Sequence, residues 1–184
     1  MGLFALFLVL AGVSSPVSAD SSNYSRHVER GVGIDVTVLW ALPPFKTYEV
    51  KLMIPVSDGA DLVVGYGRQA WTIGEGAKVN PGTMDSHALI LGAKQFLFRT
   101  STVAEYDAWI CHDRLTAPDG SIASGWSLSH EFFGGYQFYF GNTRAYTTAG
   151  VNAGFWSWKS YSQPKDDRFV WTILPKLNAG YETN

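Results

Sequence analysis

The chain has 184 residues and a net charge of −2, with 46% hydrophobic, 15% aromatic and only 16% charged side chains. This length suits one domain, and the near-neutral charge argues against nucleic acid as a partner. The single cysteine, Cys111, excludes an internal disulfide framework and a cysteine zinc site within one chain. Charged residues are scarcer than the roughly 25% that is usual in soluble domains.

The beginning of the chain predicts export. Leu3–Val13 is a short apolar run, and it is followed by small residues ending at Ala19. This is the pattern of a signal peptide over residues 1–19, and the run is too short for a transmembrane helix, which needs about 20 apolar residues. Residues 20–31 are polar and predict an exposed lead-in. We expect the β-barrel domain to occupy residues 32–184.

Eight segments then alternate apolar and polar residues with the period of two that is typical of β-strands. In each segment, one face is apolar and the other carries most of the charges and glycines. Most of them reach the 9–11 tilted residues that span a bilayer. The predicted strands are Val32–Trp40, Thr47–Val56, Ala60–Trp71, Ser86–Phe98, Thr102–Asp113, Trp126–Phe140, Ala145–Lys159 and Arg168–Tyr181.

The hairpin formed by the sixth and seventh segments shows the pattern most clearly. Before the turn Gly141–Arg144, the even positions from Trp126 to Phe140 are largely apolar and aromatic. After the turn, the odd positions of Ala145–Lys159 are apolar. If the turn is centred between Asn142 and Thr143, the numbers of two paired residues sum to an odd value, and the two apolar rows share one face. This predicts a membrane barrel with apolar side chains toward lipid and polar ones inward.

The connections alternate in length. Tight turns follow the second, fourth and sixth strands, whereas residues 72–85, 114–124 and 160–167 form longer loops. Short turns on one side and longer loops on the other are typical of bacterial outer-membrane barrels. We therefore predict an all-β fold, an eight-stranded antiparallel up-and-down transmembrane β-barrel. Aromatic residues near strand ends would form its girdles: Trp40, Tyr48, Trp71, Phe98, Trp126, Phe140, Tyr146, Trp156, Trp158, Trp171 and Tyr181.

The inward face predicts a filled interior. An eight-stranded barrel is only wide enough to be filled by its own side chains, and glycines on this face leave room for long neighbours. We expect a structural network of ion pairs and hydrogen bonds rather than an open pore, because buried charges need partners. Folding the fourth strand on the fifth about Thr100 places Lys94 near Asp107. The predicted network residues are Asp35, Glu49, Lys51, Lys94, Glu105, Asp107, Glu131, Gln137 and Lys176.

The mature chain resembles the small eight-stranded outer-membrane barrel proteins of Gram-negative bacteria. The segment Pro44–Val56 is similar to one in uncharacterised members of that group. The resemblance implies an outer-membrane location, lipid as the surrounding partner, no cofactor, and a structural or loop-mediated role. Pro55 and Pro175 depart from the pattern because they interrupt proposed strands, where bulges or strand ends would have to absorb the missing N–H groups.

Few residues suggest chemistry. Ser129-His130-Glu131 contains the residue types of a catalytic triad, but alternation places His130 on the opposite face from the other two. His87 and Asp85 flank one loop, where a solvated histidine is a simpler interpretation than a metal site. We therefore predict no catalytic, cofactor-binding or metal residues.

Three functions remain open. The first is a non-enzymatic outer-membrane barrel that binds an extracellular partner through loops 72–85, 114–124 and 160–167. The second is a soluble exported barrel that binds an apolar ligand, as lipocalins do, and such a barrel would turn its apolar rows inward. The third is a barrel enzyme that acts on lipid or lipid A, since one fold can host several functions.

Overall fold

Eight strands close into a barrel. The computed structural model describes residues 30–38, 46–73, 82–161 and 172–183. The strands are β1 Gly33–Thr37, β2 Thr47–Ser57, β3 Ala60–Ile73, β4 Gly82–Phe96, β5 Thr102–Thr116, β6 Ile122–Tyr139, β7 Ala145–Lys159 and β8 Thr172–Glu182. Each is antiparallel to its neighbours in chain order, and β1 pairs with β8. The predicted eight-stranded antiparallel up-and-down fold is confirmed. No helix in the described ranges is long and apolar enough to cross a membrane.

The barrel is apolar outside and polar inside. Leu89, Ile110 and Val151 point outward and are 49%, 38% and 54% exposed. In the interior, more polar and charged residues than hydrophobic ones are buried within the described ranges. The period of two causes this arrangement, since β2 reads buried and exposed in strict alternation from Thr47 to Ile54. Soluble domains show the opposite distribution, with apolar residues inside.

The beginning of the chain is only partly described. The predicted signal peptide over residues 1–19 and most of the lead-in lie outside the described residues. The last part of the lead-in differs from the exposed segment that we expected. Arg30 is buried, and its Nε donates to Asp61 Oδ1 at 3.0 Å while Nη1 donates to the Asp58 carbonyl at 3.2 Å. Arg30 therefore packs against the turn between β2 and β3.

Two predicted loops are shorter than expected. The loop predicted at residues 72–85 is reduced to residues 74–81, because Thr72 pairs with Thr83 and Ile73 with Gly82 as β3 and β4 continue. Residues 162–167 of the third predicted loop, 160–167, lie outside the described residues.

The loop predicted at residues 114–124 is also shorter than expected. β5 and β6 continue through it, and Thr116 pairs with Ile122. A five-residue turn, 117–121, remains. The Ser121 backbone N–H donates to Asp119 Oδ1 at 2.9 Å, and Gly120 adopts a φ of +82° that favours glycine. Hydrogen bonds from the side chain and backbone of Ser121 lower the pKa of Asp119.

The register between β4 and β5 differs by two residues from the prediction. Leu97 N–H donates to the Thr102 carbonyl at 2.8 Å, so the turn centres between Arg99 and Thr100. Lys94 consequently pairs with Glu105. The predicted pairing of Lys94 with Asp107 is wrong because the turn begins at Leu97 instead of Arg99.

The hairpin of β6 and β7 has the predicted odd-sum register. Tyr139 pairs with Tyr146, and the register continues to the pair of Ser129 with Trp156. Beyond that pair the register shifts by one residue, and Leu128 pairs with Trp158. The extra residue in the resulting bulge is Ser157. The bulge leaves both Ser157 and Trp158 exposed on the outer surface.

Pro175 lies where the short strand β1 has ended. Val38 N–H donates to the Leu177 carbonyl at 2.9 Å, so Leu177 directs its backbone polar groups toward β1. Pro175 has the same parity and faces the same neighbour. The ladder between β1 and β8 ends at the pair of Thr37 with Asn178. The missing N–H of Pro175 therefore falls beyond that ladder.

Pro55 lies past the other end of β1. The ladder between β1 and β2 ends at the pair of Gly33 with Met53, two residues before Pro55. A register shift against β3 also separates Pro55 from Ser57. Both prolines thus lie on strands that neighbour β1, at positions beyond the ends of this five-residue strand. A closed sheet accommodates them there because no N–H group is needed to pair with β1.

Candidate functional site

The nine residues of the predicted interior network are all buried on the inward face. Alternation on β1, β2, β4, β5, β6 and β8 brings them into the same lumen. The centre of this charged interior is Lys51 Nζ, which lies 3.2 Å from Asp107 Oδ2 and 3.7 Å from Glu49 Oε2, and which also pairs with Glu105 Oε1. One ammonium group therefore joins β2 to β5 across the lumen.

A second lysine extends the network to two further strands. Lys176 Nζ on β8 lies 2.7 Å from Glu49 Oε2 and 3.2 Å from Glu131 Oε2 on β6. Glu49 is thus shared between Lys51 and Lys176. Buried ion pairs of this kind hold their geometry only while both partners remain, because a single buried charge is costly.

Lys94 belongs to a separate, hydrogen-bonded group. Its Nζ donates to Gln137 Oε1 at 2.7 Å. The amide nitrogen of Gln137 donates to Tyr139 Oη at 3.1 Å and to Glu182 at 3.3 Å, and Tyr139 donates to Glu182 Oε2 at 2.7 Å. Sequence reasoning omitted Glu182, although it shares the parity of Lys176 on β8 and could have been found by that rule.

Asp35 is the exception among the nine residues. It is only 1% exposed, yet neither carboxylate oxygen has a hydrogen-bond or ion-pair partner within the described ranges. The oxygens of Glu49 also lack a hydrogen bond there, but Glu49 Oε2 forms ion pairs with Lys51 and Lys176. Eight of the nine residues therefore have direct polar partners, and Asp35 has none among the described residues.

Aromatic rings fill part of the lumen by packing over glycines on the inward face of the sheet. Trp109 is fully buried with its ring against Gly67, and a Cβ at Gly67 would overlap that ring. Tyr146 lies in the same way over Gly180. We predicted Tyr146 in an aromatic girdle, and this is wrong, since it is 1% exposed inside the barrel. The glycines make space for the rings, and together they fill the interior.

The residues that suggested chemistry separate across the wall. Ser129 and Glu131 are buried inside, whereas His130 points outward, where its Nδ1 lies 2.8 Å from Tyr106 Oη and its Nε2 lies 2.8 Å from Ser157 Oγ. The three consecutive residues do not converge. The structure instead brings His130 to a serine 27 residues further along the chain.

The Asp85 and His87 pair lies on the outer surface of β4, where Asp85 pairs with Ala70 and His87 with Arg68, and not in the loop where we predicted it. Arg68 donates to both oxygens of Asp85, at 3.0 and 3.1 Å, and Tyr66 Oη lies 2.5 Å from His87 Nδ1. These contacts engage the groups that a metal would need. Across the residues that the structure describes, no three His, Cys, Asp or Glu side chains converge on a metal position.

The fold and interior define a class: a closed eight-stranded barrel with a filled polar lumen. No model of a known protein family matches the sequence, and no curated protein matches it. Among solved structures, the chain is similar to the N-terminal β-barrel domain of OprF from Pseudomonas aeruginosa. The identity is 13%, the match covers 83% of this chain and 95% of that chain, and the TM-score is 0.43. A similarity this low carries no information about function.

Proposed function

We propose that the protein is an integral outer-membrane β-barrel whose filled interior is structural and whose outer loops bind an extracellular partner. The observation that carries the proposal is the inverted distribution of side chains. Large apolar residues such as Leu52, Leu91 and Ile110 are exposed around the wall, while the charges are inside. Exposed apolar surface on this scale marks contact with a membrane or a partner.

Strand length supports the same proposal. β2 to β8 have between 11 and 18 residues in the described ranges, and a membrane strand needs about 9–11. A closed sheet also satisfies its backbone groups internally, which the hydrocarbon core demands. Exposed Trp126 and Trp158 lie near the ends of β6 and β7, where interfacial aromatics are expected.

The lipocalin alternative requires an apolar cavity. The interior instead holds Lys51, Lys94 and Lys176 with their carboxylate and amide partners, and Trp109 packs with Ile90 beside them. This favours a barrel surrounded by lipid over one that encloses an apolar ligand. Because ion pairs and rings fill the lumen, we also propose that it does not conduct ions.

Fractionation tests the membrane location. We expect the protein in the outer-membrane fraction, and we expect an unboiled sample in detergent to migrate faster on a gel than a boiled one, because a closed barrel stays folded. The purified barrel should give no steady conductance in a planar bilayer. Recovery in the soluble periplasmic fraction, with one gel mobility before and after boiling, would contradict the proposal.

The outer loops are the proposed partner surface. Of the predicted loops 72–85, 114–124 and 160–167, the first is reduced to residues 74–81 and the second to the turn 117–121. We therefore give the two longer connections, between β3 and β4 and between β7 and β8, the larger share of the binding. Replacing residues 76–79 with Gly and Ser should reduce capture of the extracellular partner. The matched control is the same replacement in residues 118–120, which should capture the partner like the wild type. Equal capture by both variants would place the contact elsewhere.

A further inference from the structure

The strongest additional feature of the molecule is a hydrogen-bonded serine and histidine on the outer wall. Ser157 Oγ lies 2.8 Å from His130 Nε2, and His130 Nδ1 lies 2.8 Å from Tyr106 Oη. The three side chains come from β7, β6 and β5. A nucleophile within hydrogen-bond reach of a base, with the base oriented by a third group, is the arrangement that activates a serine.

The position of Ser157 is set by the bulge in β7. The bulge adds Ser157 between the pairs Ser129–Trp156 and Leu128–Trp158, so the serine does not lie in the regular ladder. Bulges re-aim side chains and are common beside active sites. Ser157 is exposed, and its hydroxyl also lies 3.3 Å from the Leu128 carbonyl, which is a second acceptor on the same side of the wall.

Two rings pack against His130, and a third packs against one of them. Its ring lies 5.9 Å from that of Tyr106 at an interplanar angle of 19°, and 5.0 Å from that of Phe155. Phe132 packs against Tyr106 at 5.1 Å. In the tautomer that carries its proton on Nδ1, His130 donates to the phenol oxygen of Tyr106 and directs the lone pair of Nε2 at Ser157. In that tautomer Tyr106 is a positioning residue, and His130 is the base.

The depth of the site indicates the substrate class. Ser157 lies two residues before the end of β7, and the exposed rings of Trp126 and Trp158 lie beside the same end of the barrel. Interfacial tryptophans lie at the level of the lipid headgroups, where acyl chains are ester-linked to their headgroups. This inference rests on the proposed membrane location, because it places the outer wall in lipid.

We propose that Ser157 and His130 form a hydrolytic site for an ester-linked acyl chain of a membrane lipid. Ser157 Oγ bonds to the acyl carbonyl carbon as its proton passes to His130 Nε2. That proton then goes to the alcohol oxygen as the ester C–O bond breaks. Water attacks the acyl-serine, one of its protons passes through Nε2 to Ser157 Oγ, and the serine–acyl bond breaks. The products are a fatty acid and the lipid with one chain fewer.

Covalent labelling tests this site. The purified barrel in detergent is treated with a long-chain alkyl fluorophosphonate, and the labelled residue is located by mass spectrometry of the folded, heat-modifiable gel band. We expect the label on Ser157. Ser157→Ala should abolish labelling, and His130→Ala should slow it at least about 100-fold, the usual contribution of a general base. The matched control is Ser129→Ala, the neighbouring serine inside the barrel, which should label like the wild type.

Turnover is measured as fatty acid released from phosphatidylglycerol vesicles that contain the barrel. Tyr106→Phe should lower kcat about 10-fold with KM unchanged, because it disturbs the orientation of the base without touching the substrate. A folded, heat-modifiable wild type with no label on Ser157, or labelling that persists in Ser157→Ala, overturns the hydrolytic site while leaving the membrane barrel intact. Loss of heat-modifiability in the wild type would instead overturn the proposed location.

Discussion

At the scale of single residues, the charged interior depends on which groups have direct partners. Lys51 Nζ contacts three carboxylates, whereas both oxygens of Asp35 lack a hydrogen bond within the described ranges. The two residues are equally buried, so burial does not distinguish them. The two residues differ in their polar partners. We therefore expect substitutions of Lys51 and Asp35 to have opposite effects on the stability of the barrel.

Lys51→Met should destabilise the barrel by about 3–5 kcal/mol, because it leaves several buried carboxylates without their cation. Asp35→Asn should leave stability unchanged or raise it, because it removes a buried charge that has no direct partner. Urea unfolding of the protein in detergent micelles measures both. Equal losses in the two variants would show that the direct ion pairs do not set the stability of the interior.

The contact of Trp109 with Gly67 gives a second residue-scale prediction. Gly67→Ala places a methyl group in the Trp109 ring and should cost about 1–3 kcal/mol. Gly134→Ala is the matched control, since nothing lies within 4 Å of a Cβ there. Combining Gly67→Ala with Trp109→Leu should restore part of the loss, measured as a coupling free energy in a double-mutant cycle. Additive losses would mean that the ring does not occupy the space over Gly67.

At the scale of strands, β1 is the weakest element of the described barrel. It forms four residue pairs with β2 and five with β8, where the other neighbouring strands form ten or more. Pro55 and Pro175 occur beside its two ends, where no ladder partner in the described ranges is lost. Positions within the ladder between β1 and β8 are different, and Ala179, which pairs with Val36, is one of them.

Ala179→Pro should prevent formation of the folded, heat-modifiable barrel, because Ala179 pairs with Val36 inside the ladder and has the parity of Leu177, whose carbonyl accepts from β1. Ala179→Gly separates loss of the side chain from loss of the N–H, and Pro175→Ala tests the tolerated position. Both of these variants should fold. A folded Ala179→Pro barrel would show that closure does not need this part of the ladder.

The strands also show what a sequence can predict. The period of two assigns Glu105, Asp107 and Lys94 to the interior, because a slip of one residue would turn every side chain to the other face. A slip of two residues preserves the faces, so the same pattern carries no information about it. This is why Lys94 was paired with Asp107 instead of Glu105. The bulge at Ser157 cannot be predicted from the alternation within β7 either, because it depends on how β7 pairs with β6.

Turns limit the prediction as well. Pro118-Asp119-Gly120 indicates a connection, and the structure has one there. Its length depends on how far the flanking strands keep pairing, which a local composition rich in turn residues does not specify. Tyr146 follows the parity of the polar row on β7, yet its aromatic character favoured the girdle. The space over Gly180, on another strand, decides its position.

At the scale of the whole molecule, the outer wall distinguishes a lipid environment from water. Leu91 lies mid-strand on β4, and Ile122 begins β6 at the end of the barrel; both are exposed. Leu91→Arg should cost about 2–4 kcal/mol in a bilayer, and Ile122→Arg about 0–1 kcal/mol. Unfolding in lipid vesicles measures the difference. In a water-soluble barrel, both substitutions would leave the free energy of unfolding nearly unchanged.

The seam between β1 and β8 has a consequence for the order of assembly. Every other pair joins strands that follow one another in the chain, whereas Gly33 meets Glu182. The entropy of loop closure therefore falls mainly on this single step, and contacts so distant in sequence form slowly. Hairpins between successive strands would form first and leave a curled sheet with two unpaired edge strands, β1 and β8. Until these edges pair with each other, another copy of the chain can pair with either one. Aggregation should therefore start at the first and last strands.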